Sequence, residues 1–257
     1  MQAVIYEDGR ESGFGPLTLL RAAFDLRCGA LLLREKLELR RPDWAVALLP
    51  RPSLAALVGE EQPGRDVGSL GGGRTLMLSA CVLVDDSLLD FVDGVDQDCL
   101  LVSGGRAFGA VVTLEAARLA DLASGEGRPD LERMGLPTAE PAGIRAVLRP
   151  WELVELAGDE IVRDATLLAG GGNIAGGLDE TARLLTPDRI SIGADSAIGP
   201  GAVLDATGGD IIIESGVTVM ANAFIEGPAF VGGGSLVRAG ARVYGGTSLG
   251  PVCRVGG

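Results

Sequence analysis

The chain has 257 residues, of which 47% are hydrophobic, and its formal net charge is −13. This length and hydrophobic content predict a globular protein with room for two domains. The acidic balance disfavours a nucleic-acid partner because it repels backbone phosphates. The chain contains no histidine, which excludes any mechanism in which this chain supplies an imidazole base.

The cysteines and the N-terminus both indicate the cytoplasm. The four cysteines lack the CxxC spacing of metal sites, so free thiols are expected. Residues 1–8 lack the basic start and apolar core of a signal peptide, and no apolar run reaches the roughly 18 residues that span a membrane. We therefore expect a cytoplasmic protein with no membrane partner.

Alternating strands and helices are predicted over the first 168 residues. The predicted strands are 2–6, 44–49, 75–84, 99–102 and 106–114. The predicted helices are 17–41, 52–60, 115–123 and 150–168, the last with a break at Gly158, and a polar loop is predicted at 60–74. This alternation predicts an α/β domain over residues 1–168 with a largely parallel sheet. A Gly-rich linker and the start of a solenoid are expected at 169–189.

The loop after the first strand is where α/β nucleotide-binding domains place phosphates. Its glycines, Gly9, Gly13 and Gly15, match neither GxGxxG nor GxxxxGK[ST], so neither dinucleotide binding nor a P-loop is supported. The loop either cradles phosphates or forms an ordinary tight turn.

Lys36 is the one lysine of the chain, against 21 arginines. A bias towards arginine codons would explain why lysine is rare, and Lys36 would then have no special role. Alternatively, it occupies a position where a compact ammonium cannot be replaced by a planar guanidinium. The sequence leaves both interpretations open.

A six-residue period runs through residues 190–257. Eleven aliphatic residues follow it, with one nine-residue step around Gly208-Gly209. They are Ile192, Ile198, Leu204, Ile213, Val219, Ile225, Val231, Val237, Val243, Leu249 and Val255. This period suits neither a helix nor an alternating strand, but it is typical of a hexapeptide β-helix whose aliphatic residues point to the axis. The alternative, a Gly-rich β-sandwich, would need alternating strands and variable turns.

Three segments resemble a bacterial family of sugar nucleotidyltransferase-like proteins. They are PLTLLRAAFDLRCGALLLREKLE (16–38), RPWELVELAGDEIVRDATLL (149–168) and EGPAFVGGGSLVRAGARVYGGTSLGPVCRVGG (226–257). The family is related to the bifunctional UDP-N-acetylglucosamine diphosphorylase/glucosamine-1-phosphate N-acetyltransferase. The resemblance implies a Rossmann-like nucleotidyltransferase domain followed, over 190–257, by a left-handed parallel β-helix. Residues from about 50 to 148 match poorly.

The resemblance also implies the site residues and a Mg²⁺ cofactor. They are Gly9, Gly13, Gly15, Thr18 and Arg27 for nucleotide and sugar-phosphate binding, Arg21 and Lys36 for catalysis, and Asp85 and Asp86 for the metal. Other interpretations stay open. Arg21 and Arg27 would otherwise be solvated helix residues, and Lys36 would be a surface charge on the helix. The aspartate pair would otherwise cap the next helix.

Several features depart from the family pattern. The Gly-x-Gly-Thr-Arg loop is missing, and Leu78-Ser79-Ala80 stands where relatives carry an Asn-Gly pair, so both features argue against pyrophosphorylase activity. Relatives continue past residue 257 with a histidine-bearing loop, so we expect this chain to be a fragment, or its open end to be covered by another chain. Acetyl-CoA would then be a cofactor only of the full-length protein. The resemblance further implies a homotrimer.

Three functions follow from these observations. The leading hypothesis is nucleotidyl transfer from a nucleoside triphosphate, UTP, to a sugar 1-phosphate such as N-acetylglucosamine 1-phosphate. The second is a hexapeptide-type acyltransferase that is active in the full-length protein. The third is a non-catalytic oligomeric scaffold with a degenerate nucleotide-binding domain.

Overall fold

A computed structural model describes residues 1–118, 129–168 and 171–256 of the chain. The chain divides into two compact units. The first unit comprises 1–26 and 32–150, and the second comprises 27–31 together with 151–257. The short segment 27–31 therefore belongs to the second unit although it lies in the first part of the sequence.

The strands before residue 150 are β1 Gln2–Tyr6, β2 Arg27–Cys28, β3 Leu31–Leu32, β4 Ala45–Leu49, β5 Gly73–Ser79, β6 Val82–Leu83, β7 Cys99–Ser103, β8 Arg106–Leu114, β9 Thr138–Ala139 and β10 Arg145–Ala146. A six-stranded sheet has the order β4-β1-β5-β8-β7-β9. β1 pairs in parallel with β4 and β5, whereas β8 runs antiparallel to β5 and β7. The first unit is thus an α/β domain, as predicted, but its sheet is mixed rather than largely parallel, because β8 runs antiparallel to both of its neighbours.

The α-helices that lie wholly within the described residues are α1 Glu35–Arg40, α2 Ala55–Glu61, α3 Asp86–Asp93, α4 Pro150–Glu155 and α5 Ala157–Ala165. The predicted strands at 2–6, 44–49, 99–102 and 106–114 are confirmed, and the predicted strand at 75–84 is divided into β5 and β6. The predicted break in the 150–168 helix is present, but it lies at Leu156 rather than at Gly158, because α4 ends at Glu155 and α5 runs through the glycine. The predicted helix at 115–123 lies largely outside the described residues.

The predicted helix over 17–41 is also wrong. Leu26 and Leu33 are spaced like residues of one helix face, yet they pair across a hairpin, where the Leu33 N–H donates to the Leu26 carbonyl (2.9 Å). Gly29 permits the turn between them because it adopts a left-handed φ of +83°. Within this stretch the α-helix is confined to Glu35–Arg40.

A buried layer beneath the six-stranded sheet forms the core that positions its edges. Most of the side chains in this layer come from β1, β4, β5, β7 and β8, and the others come from the short segments around Val67 and Leu131. They are Val4, Tyr6, Ala47, Val67, Leu70, Met77, Leu100, Ala110, Val112, Leu114 and Leu131. Removing this apolar surface from water is the main stabilisation of the unit.

The second unit contains a repeat region of short parallel strands. They are β11 Gly177–Leu178, β12 Arg183–Leu185, β13 Ile190–Ile192, β14 Ala197–Ile198, β15 Val203–Asp205, β16 Ile211–Ile213, β17 Thr218–Val219, β18 Phe224–Glu226, β19 Ala229–Val231, β20 Leu236–Val237, β21 Arg242–Val243, β22 Thr247–Leu249 and β23 Arg254–Val255. They form three parallel sheets, which the chain visits in strict rotation: β11-β14-β17-β20-β23, β12-β15-β18-β21 and β13-β16-β19-β22. This arrangement is compatible with the predicted β-helix.

The six-residue period places the aliphatic residues in stacked columns. Leu204 has Ile225 as its partner on the next strand of its sheet, and Ile225 has Val243. The nine members from Ile192 to Val243 are buried, and the last two, Leu249 and Val255, are partly buried against the same core. The nine-residue step is accommodated between β15 and β16.

The outer face of one of these sheets is covered by a helix. Ile212 and Phe230 project from β16 and β19 and are buried in a second cluster with Ala30, Ile161 and Ala165. Two of these residues belong to α5, which explains why the central strands of this sheet are apolar on both faces. Among the described residues, no helix combines the length and apolarity needed to cross a membrane.

Candidate functional site

A cleft opens at the edge of the six-stranded sheet where β1 ends and β8 begins. Parallel strands present their carboxyl ends at one edge, and the antiparallel β8 starts at that same edge. The cleft has a volume of about 420 Å³. Its lining residues are Tyr6, Asp8, Gly9, Arg10, Ala107, Pro129, Asp130, Leu131 and Glu132. We refer to it as the edge cleft.

Arg10 is held in a fixed position on the wall of the edge cleft. Its guanidinium forms an ion pair with Asp8 and donates to the Ala107 carbonyl (2.8 Å). The same group lies over the Phe108 ring, 4.4 Å from its centroid. A guanidinium held by an ion pair, a carbonyl and a ring face needs little reorganisation to meet an anionic ligand.

Glu7 organises the backbone behind the edge cleft. Its buried carboxylate accepts hydrogen bonds from the Ala23 N–H, the Arg51 N–H and the Arg51 guanidinium, each at 2.8 Å. Burial raises the pKa of Glu7, and the hydrogen bonds from Arg51 and Ala23 oppose that rise. The Arg51 guanidinium also donates to the Thr18 carbonyl, so one buried ion pair joins the end of β1 to the following loop.

The Tyr6 hydroxyl is kept neutral at the base of the edge cleft. Burial raises its pKa most, and the nearby Asp8 carboxylate raises it further, while Arg10 acts in the opposite direction. A neutral phenol can both donate and accept a hydrogen bond.

The predicted phosphate loop is ordered by its own side chains. The Gly9 N–H donates to the Glu11 carboxylate (2.7 Å), and the Thr18 hydroxyl donates to the Glu11 carbonyl (2.9 Å). Gly9 lines the edge cleft, whereas Gly13, Gly15 and Thr18 are not among its lining residues. The Gly9 N–H thus already has a hydrogen-bond partner within the loop.

Glycine is needed at position 13 because close packing leaves no room for a side chain, and not because its backbone N–H must be left open to a ligand. A Cβ atom at this position would lie 2.6 Å from the Leu148 carbonyl oxygen and 2.7 Å from the Arg149 Nη1 atom. Such contacts are far below van der Waals distance, so a side chain here would displace the backbone. Gly15 precedes Pro16 at a cis peptide bond.

The three predicted cations lie in different environments. Arg21 is exposed and makes no hydrogen bond or ion pair with any residue of the described ranges. Lys36 has 0% exposure in α1, so its interpretation as a solvated surface charge is wrong. Arg27 belongs to the second unit, where its guanidinium lies 4.8 Å from the centroid of the Phe230 ring.

The predicted metal ligands are occupied by other partners. Asp85 caps α3, because its side chain accepts from the Leu88 N–H (3.0 Å), and its other oxygen lies 3.3 Å from the Arg145 Nε atom. The exposed Asp86 lies 3.2 Å from the Arg40 Nε atom. Both carboxylates therefore have a guanidinium group beside them, and neither is a lining residue of the edge cleft. Within the described part of the chain, no three acid, cysteine or histidine side chains are grouped to hold a metal.

The sequence reasoning missed Glu7, Asp8 and Arg10, which define this edge of the sheet. A signal was present, since YEDGR places two acids and a basic residue directly after a buried strand. Charged side chains at the carboxyl end of a parallel strand are typical of ligand sites in α/β sheets. The packing of Arg10 on Phe108 and its bond to Ala107 were not predictable, because they join residues 97 or more positions apart.

The mixed α/β sheet of the first unit, with its parallel strands, fits a nucleotidyltransferase-like domain. A family model described as sugar nucleotidyl transferase matches residues 3–172, which is more than half of the chain. The chain belongs to this sugar nucleotidyl transferase family. No curated protein matches the sequence.

Proposed function

We propose that the first unit transfers a nucleotidyl group from a nucleoside triphosphate to a sugar 1-phosphate and releases pyrophosphate. The family match over residues 3–172 is the observation that carries this proposal. The position of the edge cleft at the carboxyl end of β1 supports it. UTP and N-acetylglucosamine 1-phosphate are the proposed substrates on the strength of the resemblance.

The side chains of the edge cleft can divide the work of binding. Nucleotidyl transfer depends chiefly on positioning and on stabilising negative charge. Arg10 is a pre-positioned cation for that charge. Arg21, which is exposed but does not line the edge cleft, is the second proposed cation. The carboxylates of Asp130 and Glu132 suit the hydroxyl groups of a sugar or ribose, because they are hydrogen-bond acceptors.

The repeat region is proposed to be a left-handed hexapeptide β-helix. Its three parallel sheets, visited in rotation, support a β-helix, and the hand is inferred from the family resemblance. In this proposal the repeat region serves the assembly of the protein rather than its chemistry. The chain has no histidine for the usual general base of hexapeptide acyltransferases.

Pyrophosphate release by the full chain tests the proposal. UTP, dTTP and the other triphosphates are each supplied with a sugar 1-phosphate and Mg²⁺. Arg10→Ala should lower kcat/KM by about 10- to 100-fold, since it removes the oriented cation. Arg21→Ala should lower activity without lowering Tm, because the side chain is exposed. Arg183→Ala, an exposed arginine of the repeat region, is the matched control and should behave as the wild type.

A non-catalytic scaffold is the second candidate, and one observation favours it. The Gly9 amide, which would face a phosphate, is instead bonded to Glu11. Calorimetry separates the two functions, because an enzyme binds a triphosphate or a sugar phosphate. Wild-type protein that neither binds these ligands nor releases pyrophosphate would support the scaffold and contradict the enzyme.

A further inference from the structure

One buried carboxylate joins the two ends of the loop that follows β1. Glu7 directly follows β1 and has 2% exposure, and its N–H donates to the Leu49 carbonyl of β4 (3.1 Å). Its Oε1 atom accepts from the N–H of Ala23 (2.8 Å), which lies 16 residues further along the chain. We refer to residues 8–22, between these two points, as the β1 loop. Both ends of the β1 loop are therefore fixed to the same side chain.

Arg51 completes the hydrogen bonding of this carboxylate and also holds the middle of the β1 loop. Its N–H donates to the Oε2 atom of Glu7 and its Nη1 atom donates to Oε1, each at 2.8 Å. Its Nη2 atom donates to the carbonyl of Thr18. The Thr18 hydroxyl in turn donates to the Glu11 carbonyl (2.9 Å). We call the ion pair of Glu7 and Arg51 the loop clasp.

Burial makes the geometry of the loop clasp specific. The Glu7 side chain has 0% exposure and the Arg51 side chain 15%. A buried carboxylate is costly unless hydrogen bonds satisfy it, and the three bonds to Glu7 engage both of its oxygens. A shift of the β1 loop would break one or more of these bonds around a buried charge, so other positions of the loop are disfavoured.

The start of the β1 loop forms one wall of the edge cleft. Asp8, Gly9 and Arg10 line the cleft, and Asp8 is the next residue after Glu7 in the chain. The Asp8 carboxylate accepts from the Arg10 N–H (3.1 Å) and pairs with the Arg10 guanidinium. Neither Glu7 nor Arg51 is a lining residue. The loop clasp therefore acts on a ligand only through Asp8 and Arg10.

We propose that Glu7 and Arg51 are positioning residues for the edge cleft. Because they fix the ends and the middle of the β1 loop, they hold the Arg10 guanidinium in the orientation that meets an anionic ligand. All of these residues belong to the first unit. The kinetic part of this inference rests on the proposed nucleotidyl transfer, whereas the effect on the β1 loop does not.

Three full-length variants test the effect of the loop clasp on the β1 loop. Arg51→Ala removes the guanidinium, and Arg51→Lys keeps the positive charge but lacks the planar fork that reaches both Glu7 and Thr18. Arg74→Ala is the control, because Arg74 is a partly buried, ion-paired arginine at the amino-terminal end of β5, away from the edge cleft. Hydrogen exchange of the β1 loop should become about 10- to 100-fold faster in Arg51→Ala, less so in Arg51→Lys, and stay unchanged in the control. Unchanged exchange in Arg51→Ala would overturn the inference.

Kinetics distinguish positioning from a purely structural role. Measured well below each variant's Tm, kcat of pyrophosphate release should fall by about tenfold or more in Arg51→Ala, with partial recovery in Arg51→Lys. If Arg51 acts through Arg10, adding Arg51→Ala to Arg10→Ala should lower kcat by less than about twofold more. Faster exchange with kcat and KM within about twofold of the wild type, or full additivity in the double variant, would show that the loop clasp is merely structural.

A second variant keeps the inference testable if Arg51→Ala does not fold. Glu7→Gln keeps the size of the side chain but replaces one accepting oxygen by a donor, which opposes an N–H group of Ala23 or Arg51. Faster exchange of the β1 loop and a lower kcat are expected in this variant as well. Wild-type values of both would overturn the role of the loop clasp.

Cys81 provides a readout that needs no activity. Burial raises the pKa of its thiol most, and the Asp8 and Glu11 carboxylates raise it further, so the thiol lies near the β1 loop. Alkylation of Cys81 should therefore be faster in Arg51→Ala than in Arg74→Ala. If the wild type releases no pyrophosphate with any triphosphate, the proposed function fails. Cys81 labelling and hydrogen exchange then decide the role of the loop clasp, and equal rates in the two variants would overturn it.

Discussion

Replacing Ile225 by alanine should destabilise the repeat region strongly. Ile225 has 0% exposure and lies in β18, with Leu204 and Val243 as its partners on the two neighbouring strands. The substitution removes three carbons from the middle of a stacked column. Both neighbours are fixed by parallel backbone ladders, so they cannot move far enough to fill the space.

The size of the effect follows from this burial. Truncation of a buried isoleucine to alanine costs about 2–5 kcal/mol, and the loss is largest where the surroundings cannot collapse. We therefore expect a loss of about 4 kcal/mol of local stability at Ile225. Leu249 lies in β22 and is partly exposed, so Leu249→Ala should cost only about 1–2 kcal/mol of local stability.

Hydrogen exchange measured by mass spectrometry is the appropriate assay. The chain has two units, so a single unfolding transition cannot be assumed, whereas exchange reports the opening free energy of each segment. Peptides covering 203–243 should show the loss in Ile225→Ala. Ile225→Val, which removes one carbon, is the control and should cost about 1 kcal/mol.

The comparison with Leu249 decides whether the reasoning holds. If Ile225→Ala destabilises its own strands no more than Leu249→Ala does, the aliphatic columns are not a continuous core. The six-residue period would then lose its physical explanation.

Three further results are expected. Cys81 should resist iodoacetamide at pH 8 while the partly exposed Cys253 reacts, because burial raises the pKa of the Cys81 thiol to about 12. Peptide mapping measures the labelling of each cysteine, and equal labelling of both would contradict this expectation. Gly109→Ala should lower Tm by several degrees, since its Cβ would lie 2.5 Å from the Met77 carbonyl oxygen, whereas Gly59→Ala, with open space around it, should leave Tm unchanged or raise it. Sedimentation velocity should give the mass of a trimer, as the family resemblance implies, and a monomer at micromolar concentration would refute that expectation.

The repeat region could be predicted in detail from the sequence. One physical constraint acts at every coil, because a single inward position must be aliphatic and the neighbouring corners must be small. The register of all eleven residues therefore follows from counting, as the pairing of Ile213 with Val231 and of Val219 with Val237 illustrates. The longer strands of the first unit were also predictable, because continuous apolar runs mark buried strands, whereas the two-residue strands β9 and β10 carry no such pattern.

The hairpin and the edge cleft could not be predicted in the same way. Leu26, Ala30, Leu33 and Leu37 satisfy helical spacing, but Gly29 reverses the chain between them, and the carboxylate that fixes that turn lies 134 residues from Ala30. The burial of Lys36 likewise depends on tertiary packing, which residue type and spacing do not encode. Local sequence patterns predict secondary-structure elements, whereas the candidate functional site depends on contacts between residues that are far apart in the sequence.

Identification of the reaction product tests the central claim most directly. The full chain is incubated with UTP, N-acetylglucosamine 1-phosphate and Mg²⁺, and the mixture is analysed by mass spectrometry, with the other triphosphates and sugar 1-phosphates tested in parallel. The proposed function predicts a sugar nucleotide formed in equal amount with pyrophosphate, and less of it with Arg10→Ala. The absence of a sugar nucleotide with every pair of substrates would contradict nucleotidyl transfer by this protein.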